Sequence, residues 1–509
     1  MNITYSLYGN NYVNLVEDFF CIDLTMFNLR LKTIVLVISI SAFDYLAQAQ
    51  NLPSLGDRIS GTVSLEQEYS MGQQFLAQIR RTAPTIPDPL LMSYLENITY
   101  RLASQSQLQD HRLSFVIIDS EELNAFAAPG GVIGVNTGLF LNAHTEAEFA
   151  SVMAHEIAHV SQRHFARGVD EAQSGQVGQI ASLLASVLIM ATSDAGHGAA
   201  AVTAIQGRAM ENQLRFSRSN EAEADRIGQD NMFAAGLDPA AMGTLFERLN
   251  GLNRFRNRPP EFLLSHPLTQ SRIADARGRA VRYPAREYGN NLEYQINRAR
   301  VIGHYAEDKP GLITESAARL RESGNSFMDD VNRYQLVIAY YENGLYQQAT
   351  STLAPLLQKD PNRISYVVTQ AEILTEQNEP GQAIVFLKRH LEINPNNHAL
   401  TIAHINALAK ARLYLEAAEQ LEAHAEYKDS DHHLWYQLAE TWGQAGNVSK
   451  VHQARAEYFS LHYDFRNARE QFQFALRIET DNDAAPSELA RLREKIKNVE
   501  ARQLELNAQ

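Results

Sequence analysis

A 34-residue repeat in the C-terminal part of the chain constrains its fold more than any other feature. Pro361 and Pro395 each follow the alanine of their own unit by twelve positions. A unit of this length is typically a pair of helices that buries its apolar face only by stacking against its neighbours. An irregular helical domain would not keep this register over four units, so we predict an all-α solenoid over residues 301–509. The equivalent positions of four successive units are Ala349, Ala383, Ala417 and Val451.

These units resemble tetratricopeptide repeats in their period, in the alanine between paired helices and in the proline after the second helix. The segment Pro486–Leu506 is rich in charged residues and predicts a polar helix that caps the last unit.

The N-terminal residues 1–49 are predicted to hold an extension and a cleavable signal peptide that starts at Met26. Two basic residues precede the ten-residue apolar stretch Ile34–Phe43, and Ala47-Gln48-Ala49 supplies a small-x-small cleavage pattern. A membrane anchor is the alternative, but ten apolar residues closed by Asp44 are too few, since a spanning helix needs about 20. We therefore expect an exported protein.

Cysteine content and net charge exclude further classes. The only cysteine, Cys21, precedes the predicted start, so the mature chain would have no thiol or disulfide chemistry. A net charge of −14 and a pI near 5.6 argue against a nucleic-acid partner, which usually requires a basic face.

An apolar stretch at residues 175–207 is interrupted by Gln and Ser and is too short to span a membrane. We expect a buried helical hairpin here. A peripheral membrane contact or a mobile lid is the alternative that the Gly- and Ala-rich middle leaves open.

The segment after Thr145 carries strong helix signals. Thr145 and Glu148 form a T-x-x-E capping box, and Gly168 supplies a C-terminal stop. A helix is predicted from Thr145 to about Arg167.

Within that helix, the motif HEIAH places His155 and His159 four residues apart. Residues i and i+4 share one face, so both imidazoles can reach one ion. Glu156 would not bind a zinc ion but could take a proton from a water that the ion activates. The flanking residues are apolar, and a ligated metal would offset the cost of burying these polar groups. A surface helix that carries two histidines by chance is the alternative.

A third ligand is expected from a helix predicted over residues 208–235, where a carboxylate would suit zinc. Glu221 and Asp225 lie on one face of this helix, whereas Glu223 points elsewhere. We expect Glu221 on the metal and Asp225 beside it, where it could accept the second N–H of a ligand histidine. An acidic helix start exposed to solvent is the alternative.

The fold predicted for residues 50–300 is α+β, mainly helical with a small β-sheet. Leu113–Asp119 and Val132–Asn136 are the expected strands, with a Pro-Gly-Gly turn before the second. An extended substrate could add to an exposed strand edge, and Val132–Asn136 is the candidate.

The combination of motifs resembles the gluzincin metallopeptidases related to the CAAX prenyl proteases and to HtpX. With the leader and the repeats, the chain is similar to periplasmic members of Gram-negative bacteria that act on outer-membrane β-barrel proteins. Relatives of that kind carry cysteines in the repeats, and this chain has none there. The stretches that carry the resemblance are NAFAAPGGVIGVNTGLF, ASVMAHEIAHVSQRH, SRSNEAEADRIG and SHPLTQSRI.

The resemblance implies roles for individual residues. His155, His159 and Glu221 would bind one zinc ion per chain, Glu156 would be the catalytic base, and Asp225 would be an acidic partner sometimes assigned as proton donor. It also points to His266, which Pro267 places in a loop or extended segment, as a fourth ligand that silences the site. His164 and His197 are expected to be structural or surface residues.

We therefore expect a periplasmic zinc endopeptidase of outer-membrane protein quality control. Its repeats would bind misassembled outer-membrane proteins or the β-barrel assembly machinery. The alternative is a non-hydrolytic chaperone or scaffold, which would have no evident need for Glu156. A membrane-embedded prenyl protease is excluded because no internal segment is long enough to span.

Overall fold

A computed structural model of the chain describes residues 63–171, 218–253 and 260–508. The predicted signal peptide and the predicted hairpin at 175–207 lie outside the described residues. None of the helices in these three ranges combines the length and the apolar character needed to span a lipid bilayer.

The first half of the described chain is mainly helical, with one small sheet. Its elements are α1 (Leu65–Thr82), α2 (Pro89–Ala103), β1 (Ser114–Ile118), β2 (Ala125–Ala128), β3 (Val132–Asn136), α3 (Gly138–Asn142), α4 (Glu146–Ser161), α5 (His164–Glu171), α6 (Arg218–Ala234), α7 (Ala240–Asn253), α8 (Glu261–Ser265), α9 (Gln270–Ala280) and α10 (Leu292–Tyr305).

The three strands form a sheet in the order β1-β3-β2, with β3 parallel to β1 and antiparallel to β2. Both predicted strands and the Pro-Gly-Gly turn are confirmed, whereas β2 was not predicted. The suggestion that Val132–Asn136 offers a free edge is wrong. This strand is the central one, it is buried throughout, and both of its sides are paired.

Helix α4 begins where the sequence predicts and ends earlier. The Thr145 side chain accepts a hydrogen bond from the Glu148 N–H, and the Glu148 carboxylate accepts one from the His144 N–H. The predicted end at about Arg167 is wrong, because Arg163 adopts a left-handed backbone with φ of 50° and α5 then begins at His164. The buried Arg163 side chain pairs with Glu68 at 2.9 Å, so a tertiary contact accompanies the break.

An aromatic cluster fixes the first half of α4. The rings of Phe140 and Phe149 lie 4.6 Å apart, and Tyr294 of α10 lies 5.7 Å from Phe149. The Tyr294 hydroxyl also donates to the Ala143 carbonyl at 2.7 Å. Such ring pairs each contribute about 0.5–1.5 kcal/mol beyond their burial, so α4 is held firmly against α10.

The second half forms the predicted all-α solenoid. The second helices of successive pairs start at residues 346, 380, 414 and 448, which preserves the 34-residue period. Ala349, Ala383 and Ala417 are fully buried in these helices. The elements are α11 (Lys309–Arg321), α12 (Ser326–Glu342), α13 (Tyr346–Lys359), α14 (Ile364–Glu376), α15 (Pro380–Ile393), α16 (His398–Lys410), α17 (Tyr414–Tyr427), α18 (His432–Gln444), α19 (Val448–Leu461), α20 (Phe465–Asp481) and α21 (Pro486–Ala508).

The two halves are joined through α10, which contains the division predicted at residue 300. Arg300 of this helix pairs with Asp88 at 2.9 Å and with Glu372 of α14 at 2.9 Å. Asp88 also caps α2 by accepting from the Leu90 N–H. One guanidinium therefore ties a helix start in the first half to the repeats.

Candidate metal centre

Three segments of the chain bring five polar side chains together in the protein interior. Helix α4 carries His155, Glu156 and His159, α6 carries Glu221, and His266 follows α8. None of the five is more than 3% exposed. Polar groups so deeply buried are costly unless they share partners, so their convergence indicates a functional site.

Close packing of α4 on α6 makes this convergence possible. Gly228 of α6 lies against the backbone of α4, where an added Cβ would be 3.2 Å from the Ala154 carbonyl carbon and from the His155 nitrogen. A larger residue would push the helices apart. The glycine therefore helps Glu221 reach the histidine pair.

Four ligand atoms have the spacing of a metal site. His155 Nε2 lies 3.0 Å from His159 Nε2 and 3.2 Å from His266 Nδ1. Glu221 Oε1 lies 3.4 Å from His159 Nε2 and 3.0 Å from His266 Nδ1. Ligands at about 2.0–2.1 Å from a tetrahedral ion stand about 3.3 Å from one another. The four side chains that were predicted as ligands thus form one group compatible with a single metal ion.

The charges around this group favour a cation. Burial opposes a charged imidazole, yet the neighbouring carboxylates of Asp225 and Glu221 raise the pKa of His155 to about 10. Burial likewise opposes a charged carboxylate, yet His266 and the two α4 histidines hold the pKa of Glu221 well below its ordinary value. The carboxylates therefore stabilise positive charge at this point, whether a proton or a metal ion carries it.

Glu156 lies beside the ligand group without joining it. Its Oε1 is 3.4 Å from His266 Nε2, and the backbone N–H of Ala127 in β2 lies close enough to its carboxylate to favour the charged form. Burial raises the pKa of Glu156, against the opposing effect of His266 and His155. The carboxyl is thus suited to receive a proton.

A family model described as Peptidase family M48 matches residues 89–280. The beta-barrel assembly-enhancing protease of Escherichia coli (strain K12) is 34% identical over 416 residues, which cover 81% of this chain and 84% of that protein. The chain belongs to peptidase family M48. It is a metalloendopeptidase, as the sequence motifs predicted.

The beta-barrel assembly-enhancing protease of Yersinia pestis is 31% identical over 411 residues and 84% of its length. The mitochondrial metalloendopeptidase OMA1 of Schizosaccharomyces pombe is 29% identical over 234 residues, 45% of this chain and 66% of that protein.

In this M48 peptidase, Asp225 supports the ligand group from behind. Its Oδ1 lies 2.9 Å from His155 Nδ1, and both of its oxygens accept hydrogen bonds from Arg272. Burial works against the charged carboxyl, but the bonds from Arg272 and His155 lower the pKa of Asp225.

Sequence reasoning missed Arg272. Besides Asp225, this buried guanidinium contacts Glu221 Oε2 at 2.7 Å and the Pro267 carbonyl at 2.9 Å. It therefore joins both α6 carboxylates to the loop that carries His266. Its position six residues after His266 in SHPLTQSRI was the only sequence signal for it.

His164, which sequence reasoning treated as structural or surface-exposed, lies against His159, the second candidate ligand histidine. Its Nδ1 is 2.7 Å from His159 Nδ1, and its Nε2 is 3.1 Å from Glu223 Oε2. Burial lowers the pKa of His164 to about 4, which leaves its ring neutral at pH 7. Glu223 does point away from Glu221, as predicted, and toward α5. His197 lies outside the described residues.

Proposed function

We propose that this M48 peptidase is a zinc-dependent endopeptidase of the periplasm that acts on β-barrel outer-membrane proteins. The observation that carries the proposal is one buried group that unites four metal-ligating side chains with Glu156. The similarity to proteins named beta-barrel assembly-enhancing protease supports the substrate class. Misassembled barrels would be degraded, and productive ones would be assisted.

His155, His159 and Glu221 would hold the zinc ion. Two imidazole nitrogens and one carboxylate oxygen, joined by the His266 nitrogen in the closed site, form a donor set that zinc accepts in tetrahedral geometry. When bound, zinc acts as a Lewis acid toward a peptide carbonyl and lowers the pKa of water.

Glu156 would act as general base and then as general acid. Its carboxylate would take a proton from the attacking water and deliver it to the leaving amide nitrogen. A carboxyl whose pKa is raised by burial can hold this proton between the two steps.

Asp225 would act through His155 rather than on the substrate. Its oxygens are engaged by Arg272 and by His155 Nδ1. A proton donor must reach the leaving group, whereas this carboxylate is fully buried behind a ligand. We propose that it keeps the His155 ring oriented with Nε2 toward the ion.

His266 would be a fourth ligand that closes the site. Its Nδ1 stands among the other ligand atoms, and its Nε2 faces Glu156. A catalytic zinc needs one position open to water and substrate. His266 must therefore leave before cleavage, and the loop after α8 would carry it away.

An extended substrate would lie along β2. This strand is paired with β3 on one side, and the Ala127 N–H on its other side reaches Glu156. A cleft beside it is lined in part by Ala127, Pro129, Val160 and Phe165, which would favour an apolar substrate residue. Such strand addition aligns the peptide backbone through main-chain hydrogen bonds.

The remaining assignments extend the same proposal. Residues 1–49 would carry the signal peptide, 50–300 the protease and 301–509 the repeats, with α10 shared across the division. The repeats would bind unfolded outer-membrane proteins and the β-barrel assembly machinery. Nucleic acid is not proposed as a partner.

The test uses the purified full chain. We expect about one zinc per chain by elemental analysis and cleavage of casein. Glu156→Gln should retain the zinc and lose cleavage by a factor of about 10²–10⁴, since a positioned general base contributes that much. Equal cleavage by the two proteins would contradict the mechanism. Binding of unfolded barrel proteins without any cleavage by the wild type would favour a non-hydrolytic chaperone.

A further inference from the structure

The two histidines of α4 are supported differently at their second ring nitrogens. Both direct Nε2 toward the ligand group. His155 Nδ1 meets the Asp225 carboxylate directly at 2.9 Å, whereas His159 Nδ1 meets another imidazole, that of His164, at 2.7 Å.

Proton positions along this second path follow from simple chemistry. If His159 Nε2 offers its lone pair to a metal ion, the proton of the neutral ring must be on Nδ1. His164 Nδ1 must then accept, so the proton of His164 is on Nε2 and is donated to Glu223 Oε2 at 3.1 Å. With this placement, the His159–His164 contact and the His164–Glu223 contact each have one donor and one acceptor. Both imidazole rings can therefore be neutral, with one proton each.

We propose that His164 and Glu223 form a positioning relay that sets the tautomer and orientation of the metal-binding His159. The proposal rests on the proposed metal site and adds two residues to it. His164 and Glu223 touch neither the metal nor the substrate, so they are positioning residues.

The fold explains how Glu223 takes part. It is two residues from Glu221 on α6 and therefore lies about 200° around the helix. The break at Arg163 starts α5 where His164 and Arg167 face this side, and Arg167 pairs with Glu223 at 2.6 Å. The three acidic residues of EAEAD thus divide their tasks. Glu221 is a ligand, Asp225 supports His155, and Glu223 supports His159 through His164.

The relay predicts weaker metal binding when its central link is removed. Zinc affinity of the full chain would be measured by competition with a chromophoric chelator. His164→Phe keeps an aromatic ring and removes both contacts, and we expect zinc affinity to fall about 10–100-fold. His164→Gln can still accept from His159 and donate to Glu223, so it should recover part of that loss. The matched control is His144→Phe, because His144 is exposed and should leave affinity unchanged.

A purely structural role for His164 makes a different prediction. His164→Phe would then change the unfolding transition but bind zinc as tightly as the wild type, and that result would overturn the relay. Nitrogen-15 NMR of the zinc-loaded wild type gives a second test that needs no variant. A proton on Nδ1 of His164 would overturn the proposal, and one on Nε2 would support it. Wild-type protein that binds no zinc would instead overturn the proposed function together with the relay.

Discussion

Arg272 and Asp225 are joined by two hydrogen bonds, from Nε to Oδ2 at 2.7 Å and from Nη2 to Oδ1 at 2.8 Å, in a buried setting. The same guanidinium contacts Glu221 at 2.7 Å. One cation therefore compensates two buried carboxylates of α6 and stabilises the helix face on which the candidate metal centre is built.

Replacing Arg272 by Met should destabilise the protein by about 3–5 kcal/mol, because removal of one partner leaves buried charge uncompensated. Zinc affinity should also fall, since Glu221 and Asp225 lose their fixed orientation. Urea unfolding would measure the first effect. Arg226→Met is the matched control, because Arg226 pairs with Asp230 on the surface and should change stability by less than about 1 kcal/mol. Similar losses of unfolding free energy in Arg272→Met and Arg226→Met would contradict a special role for Arg272.

Replacing Gly228 by Ala should separate α4 from α6. The new Cβ would meet the α4 backbone at 3.2 Å, so we expect a cost of about 1–3 kcal/mol and weaker zinc binding. Gly278→Ala tests helix propensity alone, since an added Cβ there meets nothing within 4 Å. That control should be neutral or stabilise by up to about 1 kcal/mol. If Gly228→Ala and Gly278→Ala changed the free energy of unfolding by the same amount, the packing explanation would be excluded.

Replacing His266 by Ala should raise casein cleavage while zinc stays bound. If the closed state is favoured by about 1.4 kcal/mol, His266 blocks the site in about ten of every eleven molecules. Removing the closed state would therefore raise the cleavage rate about tenfold. His144→Ala provides an exposed control on the same half of the chain. An unchanged rate with full zinc content would remove His266 from the regulation of this site.

Removing the proposed zinc ion should lower stability, because its ligands converge only in the folded chain and it would not bind the unfolded one. At free zinc between 100 and 1,000 times the dissociation constant, the loss on chelation is about 3–4 kcal/mol. Thermal melts with and without chelator would show it in the wild type and in Glu156→Gln alike. His159→Ala should melt at the same temperature in both conditions, and a chelator effect that persisted there would place the metal elsewhere.

The sequence predicted most of the repeat domain, because a fixed period reports local structure directly. Helix starts at 346, 380, 414 and 448 follow from stacking of units of equal length, and buried Ala349, Ala383 and Ala417 are consequences of the same stacking. The sequence also indicated which side chains would meet in the site, because HEIAH and the Glu221–Asp225 spacing each place two residues on one face of a helix.

What the sequence did not reveal depends on contacts between distant segments. Helix α4 ends at Ser161 rather than at Arg167. Just after this end, Arg163 pairs with Glu68, a residue 95 positions away in the sequence. The short strand β2 takes the edge position that sequence reasoning had given to β3, since strand order is a property of the whole sheet.

The sequence by itself determined the helix pairs, which follow from the 34-residue period, and the candidate ligands, which follow from the i, i+4 spacing on two helices and, for His266, from the family resemblance. Only the tertiary structure decided that Arg272 compensates the α6 carboxylates and that His164 lies between His159 and Glu223. The physical reason is that a buried charge or ring nitrogen must find its partner in three dimensions. Which residue supplies that partner depends on how the break at Arg163 and the packing of α4 on α6 direct the chain.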